Sequence, residues 1–195
     1  HNTAGLATAT RICEAWQGEI IEEFIGIEIG ERTVPHRLHI IDLLGVEAFE
    51  TDLVTVDFDD LRHVPSAQGH PTRRHKPVEH QGHSQAYKIG LEQFEAWLES
   101  NHHPVTLFVI GDLLADETFQ HWLSRVLTAY GGRLTVGCHG MTHRSWSAWP
   151  EDVDGFSKAL AEATALLKDA CGANFRPWFR APAGYVAPWM AGVLA

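Results

Sequence analysis

The sequence has few cysteines, no long apolar run and fewer basic than acidic residues. Its 195 residues include only Cys13, Cys138 and Cys171, none of them in a CxxC pair. This pattern indicates neither a disulfide framework nor a thiolate zinc site. The longest apolar stretches, such as residues 105–111, fall far short of the roughly 18 residues that a membrane-spanning helix needs. We therefore expect no membrane-spanning segment.

The shortage of basic residues limits the classes of partner. The 25 acidic and 15 basic residues give a formal net charge of −10, which disfavours nucleic acids and anionic membranes because like charges repel. A neutral or cationic substrate is the expectation. The hydrophobic content of 45% is ordinary for a globular protein with a sizeable core, and the length fits one domain.

From about residue 51 onwards, strand-like and helix-like segments alternate. Such alternation predicts an α/β fold with parallel strands joined by helices, and functional groups gather at the carboxyl ends of such strands. Asp116 is a predicted helix N-cap, and Gly131 follows the end of the same helix. The predicted strands cover residues 53–56, 105–110, 134–138 and 175–180, and the predicted helices lie around 91–98, 116–127 and 156–170.

Two regions lack this alternation. Residues 1–50 contain a predicted helix at 7–16 and apolar stretches that fit strands or short helices, and we assign this segment no role. Residues 62–88 are rich in His, Pro and Gly without an apolar period, which predicts a long inserted loop. The predicted domain therefore spans residues 51–195 and carries a His-rich insert at about 62–88. The insert histidines could form a second metal site, but irregular spacing in a polar loop favours solvated side chains.

His139 and His143 follow a predicted strand at a spacing of four residues. One helical turn would bring both rings to the same side, and imidazoles suit zinc and related cations. Asp60, at the end of a neighbouring strand, could be the third ligand, with the adjacent Asp59 as a proton acceptor. Alternatively, the acidic residues at 57–60 could cap a helix or face solvent.

A second set of polar residues follows the last predicted strand. Arg180 could hold the base carboxylate through a charge-assisted hydrogen bond. Pro182 and Gly184 would shape a tight loop that could aim a backbone N–H at a developing oxyanion. Trp146 could stack against a sugar, although packing in the interior is an equally good interpretation for tryptophan.

The chain contains three motifs in order: DFDD at 57–60, HGMTH at 139–143 and RAPAGY at 180–185. They resemble the motifs of the polysaccharide deacetylases with a NodB-homology domain, the carbohydrate esterase family 4-like enzymes. The resemblance implies a distorted, incomplete (β/α) barrel. It also implies a hydrolase that removes acetyl groups, N-acetyl rather than O-acetyl, from an acetylated glycan. The family's later motifs have no counterpart after Tyr185, so we expect the chain to be a fragment.

Carried over by position, the resemblance implies a role for each motif residue. Asp59 would be the base, Arg180 its partner and Tyr185 the oxyanion donor through its backbone. Pro182, Gly184 and Trp146 would contact the substrate. One divalent cation is implied, with zinc expected and cobalt, nickel or iron as alternatives; its ligands would be Asp60, His139 and His143.

Two other functions fit parts of the same sequence. Residues 54–59 could be the nucleophile strand of a haloacid-dehalogenase-like phosphatase with Asp57 as nucleophile, although this leaves His139, His143 and Arg180 without a role. The chain could also be a catalytically inactive carbohydrate-binding relative. The sequence assigns neither an oligomeric state nor a compartment. A cell-wall or exopolysaccharide enzyme would work in the cell envelope or outside the cytoplasm, and a cytoplasmic location is the alternative.

Overall fold

The computed structural model describes residues 54–76 and 82–195. The predicted segments within residues 1–50, together with Cys13, lie outside the described residues. The described elements are β1 (Val54–Phe58), α1 (Pro65–Gln68), α2 (Gln85–Ser100), β2 (Val105–Val109), α3 (Glu117–Tyr130), β3 (Leu134–Cys138), α4 (Val153–Cys171), β4 (Phe175–Phe179) and α5 (Pro188–Leu194). Short 3₁₀ turns, among them Leu61–His63, Gly111–Ala115 and Pro182–Gly184, join several of these elements.

The four strands form one parallel sheet in the order β1-β2-β3-β4. Strands that are neighbours in the chain are therefore neighbours in the sheet. This confirms the predicted α/β class with parallel strands. The order contains no reversal of the kind that defines a doubly wound sheet. The incomplete (β/α) barrel stays a prediction.

The core lies between the sheet and its covering helices. All five residues of β2 are buried, as expected for a central strand covered on both faces. An aromatic cluster packs under the end of β1, where the Phe58 ring lies 5.8 Å from Phe94, 6.0 Å from Phe119 and 5.4 Å from Trp122 between centroids. The predicted apolar faces of α2 and α3 therefore meet at the sheet end that carries the acidic residues.

The helices begin where their side chains can satisfy free backbone N–H groups. Asp116 caps α3 by accepting hydrogen bonds from the N–H groups of Thr118 and Phe119, which confirms its predicted role. Ser84 caps α2 in the same manner through Tyr87. Within the described part of the chain, no helix combines the length and apolar character needed to cross a membrane.

Candidate metal centre

The carboxyl ends of the parallel strands bring distant parts of the sequence together. Phe58, the last residue of β1, pairs with Val109, which pairs with Cys138, and Cys138 pairs with Phe179. Each following residue therefore leaves the sheet at the same edge. The acidic residues after β1, the histidines after β3 and Arg180 after β4 meet there, as the alternating sequence pattern predicts.

One carboxylate and two imidazoles converge at this edge. Asp59, His139 and His143 each offer a ligand atom, and these atoms lie within 4.8 Å of one another. Asp59 Oδ1 lies 3.7 Å from His139 Nε2, and its Oδ2 lies 3.5 Å from His143 Nε2. Ligands at ordinary zinc distances in a tetrahedral site are separated by about 3.4 Å. The spacing therefore fits three ligands around one cation better than direct hydrogen bonds.

The unmet charge of Asp59 also fits a cation. The carboxylate is largely buried, and its Oδ1 has no hydrogen-bond partner in the described structure. Burial raises the pKa of Asp59 to about 6, although the neighbouring His139 pulls it down. A carboxylate left in this state is costly without a positive charge beside it, so the residues present match a divalent cation.

The backbone of the β4 end fixes the ring of His139. The Arg180 carbonyl lies 2.9 Å from Nδ1 of His139 and accepts its hydrogen, which leaves Nε2 facing Asp59 as an unprotonated ligand atom. Burial lowers the pKa of His139 and keeps the ring neutral. The Arg180 N–H in turn donates to the Cys138 carbonyl, so this support is part of the sheet itself.

His143 reaches the group through a loop, and the predicted helical turn between the two histidines is wrong. Residues 139–144 form an irregular loop in which Gly140 has a φ of 90°. A Cβ at this position would lie 2.8 Å from the Thr142 carbonyl oxygen, so the turn requires glycine. The rings of His139 and His143 lie 5.0 Å apart between centroids. Burial lowers the pKa of His143 to about 4.

Asp60, the predicted third ligand, lies outside this group. Its Oδ1 accepts from the N–H of Leu61 and its Oδ2 from the N–H of Ser84, at 2.7 and 2.9 Å. The physical reason is the alternation of side chains along extended backbone, which puts Asp57 and Asp59 on one side and Asp60 on the other. Among the described residues, Asp59 rather than Asp60 is therefore the carboxylate that lies beside both histidines.

Asp57 is the carboxylate that Arg180 holds. Arg180 Nη1 donates to Asp57 Oδ1 at 2.8 Å, and Nη2 donates to the Thr55 hydroxyl at 2.9 Å. Asp57 Oδ2 is directed toward the centre and lies 4.0 Å from His139 Nε2. Arg180 therefore pairs with Asp57 and not with Asp59, the expected partner. The period-two pattern of Thr55, Asp57 and Asp59 is the sequence signal that could have identified this shared face.

The ring of Phe108 packs against the guanidinium group of Arg180. The Arg180 guanidinium carbon lies 4.1 Å from the centroid of the Phe108 ring. Phe108 fits because Gly137 lies opposite it, where a Cβ would approach a Phe108 ring carbon to 2.7 Å. Phe108 and Gly137 were not among the predicted site residues, since each looks like an ordinary strand residue in the sequence.

The predicted loop after β4 forms a sharp turn beside the centre. Pro182 is buried, and its ring lies 3.7 Å from the position of a Cβ built on Gly140. Ala183 and Gly184 both have positive φ angles, 63° and 75°. The backbone of Ala183 is strained, because a residue with a Cβ rarely adopts this conformation. Tyr185 is exposed, and its N–H donates no hydrogen bond to any described residue.

Trp146, the predicted sugar-stacking residue, is half-buried and packed against protein groups. Its ring lies 5.7 Å from Phe156 between centroids, and the Arg144 guanidinium lies 4.5 Å above it. The same guanidinium lies 5.0 Å from the ring of Trp149. A sugar-stacking role for Trp146 stays a prediction.

Two histidines of the predicted insert are buried, so the expectation of solvated side chains is wrong for them. His63 accepts from the Asp60 N–H through Nδ1, and its Nε2 lies 2.9 Å from Asp112 Oδ1. The His83 ring lies between two carboxylates, 3.5 Å from Asp60 and 3.4 Å from Asp116. Neither histidine belongs to the group around Asp59.

Comparison with known proteins gave a family match to residues 86–192. A family model described as "Polysaccharide deacetylase" matches residues 86–192, which is more than half of the chain. The match includes both predicted histidine ligands, Arg180 and Tyr185, and begins after the acidic residues of β1. No curated protein and no solved structure gave a match to this chain.

Proposed function

The chain belongs to the polysaccharide deacetylase family, and we propose that it is a metal-dependent hydrolase that removes acetyl groups from a glycan. We expect N-acetyl groups to be preferred over O-acetyl groups. The single observation that carries the proposal is the convergence of Asp59, His139 and His143 at one sheet edge. A site of two imidazoles and one carboxylate is typical of catalytic cations that keep a coordination position open.

In this proposal Asp59, His139 and His143 hold one divalent cation. Zinc is our expectation, with cobalt, nickel or iron as alternatives for the same donor set. When bound, the cation acts as a Lewis acid that polarises the acetyl carbonyl and acidifies a water molecule. The Arg180 carbonyl supports the cation indirectly, because it fixes the tautomer of His139.

Asp57 is the proposed general base, in place of Asp59. It lies beside the ligand group without belonging to it, and its Oδ2 is free of Arg180. From this position it accepts a proton from the attacking water. Arg180 holds the carboxylate through Oδ1, which fixes its orientation.

The turn after β4 is the proposed oxyanion site. The Tyr185 N–H has no described acceptor, and the left-handed pair Ala183 and Gly184 sets its direction. A backbone donor fixed in this way stabilises the negative charge that develops on the acetyl oxygen. Pro182 and Gly184 contribute through the shape of this turn.

Acetate release tests the proposal. The full chain, loaded with zinc or cobalt, is incubated with chitin oligosaccharides and with O-acetylated xylan, and acetate is measured. We expect release that a chelator abolishes and added metal restores. His139→Ala should lose the activity, whereas His121→Ala, which changes an exposed histidine on α3, should retain it. Release of acetate from no acetylated glycan, with the metal bound, would contradict the proposal.

A further inference from the structure

The charge of the protein is unevenly distributed along its sequence. The segment of residues 61–76, here called the basic segment, contains four arginine and lysine residues and no aspartate or glutamate. They are Arg62, Arg73, Arg74 and Lys76. The whole chain carries a formal charge of −10, so the residues outside the basic segment sum to −14. The basic segment is therefore opposite in sign to the rest of the sequence, although its first cation, Arg62, is paired with Asp112 at 3.4 Å.

The basic segment is folded and keeps its cationic end exposed. The Lys76 N–H donates to the Ser66 carbonyl, and the Gln68 side chain donates to the Arg62 carbonyl. These bonds turn the chain back on itself after α1. Residues 71–76 are all exposed, and neither Arg73 nor Arg74 forms an ion pair with a described carboxylate. Two neighbouring guanidinium groups therefore lie at the surface of the described structure.

Hydrogen bonds fix the basic segment beside the centre. It begins directly after Asp60, the neighbour of the metal-ligand candidate Asp59. His63 is fully buried and bonds both to the Asp60 backbone and to Asp112 at the end of β2. The rings of His63 and His143 lie 6.5 Å apart between centroids. Because Lys76 bonds back to Ser66, the exposed cationic end stays close to this anchored start.

We propose that the basic segment selects an anionic glycan, one that carries carboxylate or sulfate groups, as the substrate of the centre. This inference rests on the proposed deacetylase function and specifies its substrate class. It reverses the expectation of a neutral or cationic substrate, which considered only the total charge. The exposed arginines of the basic segment would attract a polyanion toward the neighbouring centre.

A pair of matched polymers tests the selection. Chitin oligosaccharides and hyaluronan oligosaccharides both contain N-acetylglucosamine, but hyaluronan alone carries a carboxylate in each repeat; O-acetylated xylan and O-acetylated alginate form the corresponding ester pair. We expect a higher kcat/KM for the anionic member of a pair. The preference should shrink as salt is added, because screening weakens exposed charge contacts.

Removal of the two arginines should abolish the preference. The double variant R73Q/R74Q is expected to raise KM for the anionic polymer roughly three- to tenfold with little change in kcat. The matched control K158Q/K168Q removes two exposed charges from α4 and should leave KM unchanged. Equal kcat/KM for both members of each pair, or an equal loss in the control, would overturn the inference while the deacetylase function stands.

Binding measured without turnover separates this inference from the deacetylase function. If no polymer loses acetate, the deacetylase proposal fails, and binding of de-acetylated polyuronate then decides the charge inference alone. Binding that R73Q/R74Q weakens supports it, and no binding overturns it. Binding of duplex DNA as tight as that of polyuronate, weakened equally in the variant, also overturns glycan selection.

Discussion

Two clusters of carboxylates and histidines lie on opposite sides of the β1 end, and they differ in how their carboxylates are satisfied. Asp59 faces two histidines at distances too long for strong hydrogen bonds, and burial raises its pKa to about 6. Asp60 is also buried, but its contacts with His83, Ser84 and Leu61 outweigh the effect of burial and hold its pKa well below 3.8. Residue types alone therefore do not separate a structural cluster from a cation site. The separating property is whether hydrogen-bond donors already compensate the charge.

The largest expected effect comes from Asp59. Asp59→Asn removes a proposed ligand, and kcat/KM should fall about a thousandfold or more, since the Lewis acid supplies several kcal/mol of transition-state stabilisation. Burial raises the folded-state pKa of Asp59 from 3.8 to about 6, so the free energy of unfolding falls as the pH rises through this range. Above about pH 6 the ionised carboxylate lowers the stability of the metal-free protein by its full amount. The metal-free variant should therefore unfold at a temperature at least as high as the wild type. Thermal unfolding in chelator, together with acetate release, checks both statements, and a large fall in stability would contradict the contrast with Asp60.

A variant of Asp57 distinguishes the proposed proton transfer from cation binding, because Asp57 lies on the same side of β1 as Asp59. Asp57→Asn should lower kcat roughly 10²- to 10⁴-fold, the range for removal of a general base. The dissociation constant of zinc or cobalt, measured by titration, should change little. A loss of metal binding equal to that in Asp59→Asn would place Asp57 among the ligands and contradict its role as base.

Asp60 should behave as the structural member of the comparison. Asp60→Ala leaves the N–H groups of Leu61 and Ser84 without their acceptor, and the free energy of unfolding should fall by about 1–3 kcal/mol. Since the folded-state pKa lies below 3.8, the contribution of Asp60 is fully present above that pH and is lost as pH falls further. Denaturant unfolding at neutral pH measures the loss. Metal affinity that drops as in Asp59→Asn would contradict the assignment.

The smallest effect is a pH dependence of metal binding. The Asp59 carboxyl has a pKa of about 6 without metal, and a proton competes with the cation for it. The metal dissociation constant should therefore be constant above this pH and rise by about tenfold per pH unit below it. His143 has a pKa of about 4 and does not yet take up a proton there. Titrations on both sides of pH 6 check this, and a flat profile would contradict it.

Much of this arrangement was predictable from the sequence, because the β-branched runs and helical periods are strong local signals. The parallel strands, the Asp116 cap and the meeting of the acidic residues, His139 and Arg180 at one edge all followed from them. The division of roles among Asp57, Asp59 and Asp60 did not. It depends on which side of the strand each carboxylate faces, and the sequence prediction ended the strand at residue 56, one residue before Asp57.

The burial of His63 and His83 was beyond local patterns for a different reason. Their partners Asp112 and Asp116 lie on other elements, so the contacts exist only after β1, β2 and α3 have packed. The irregular turn at Gly140 was missed because a spacing of four fits a helix, whereas the positive φ of glycine provides another route to the same convergence.

The N–H groups of Leu61 and Ser84 both donate to the Asp60 carboxylate and so hold together the two ends of the loop between them. One carboxylate accepts from both ends of the intervening loop, so changes of length between His63 and His83 leave these two anchoring bonds in place. Doubling a flexible loop costs only about 0.6 kcal/mol in closure entropy. Grafting the loop of another family member between these two anchor points would therefore show whether the loop sets glycan preference.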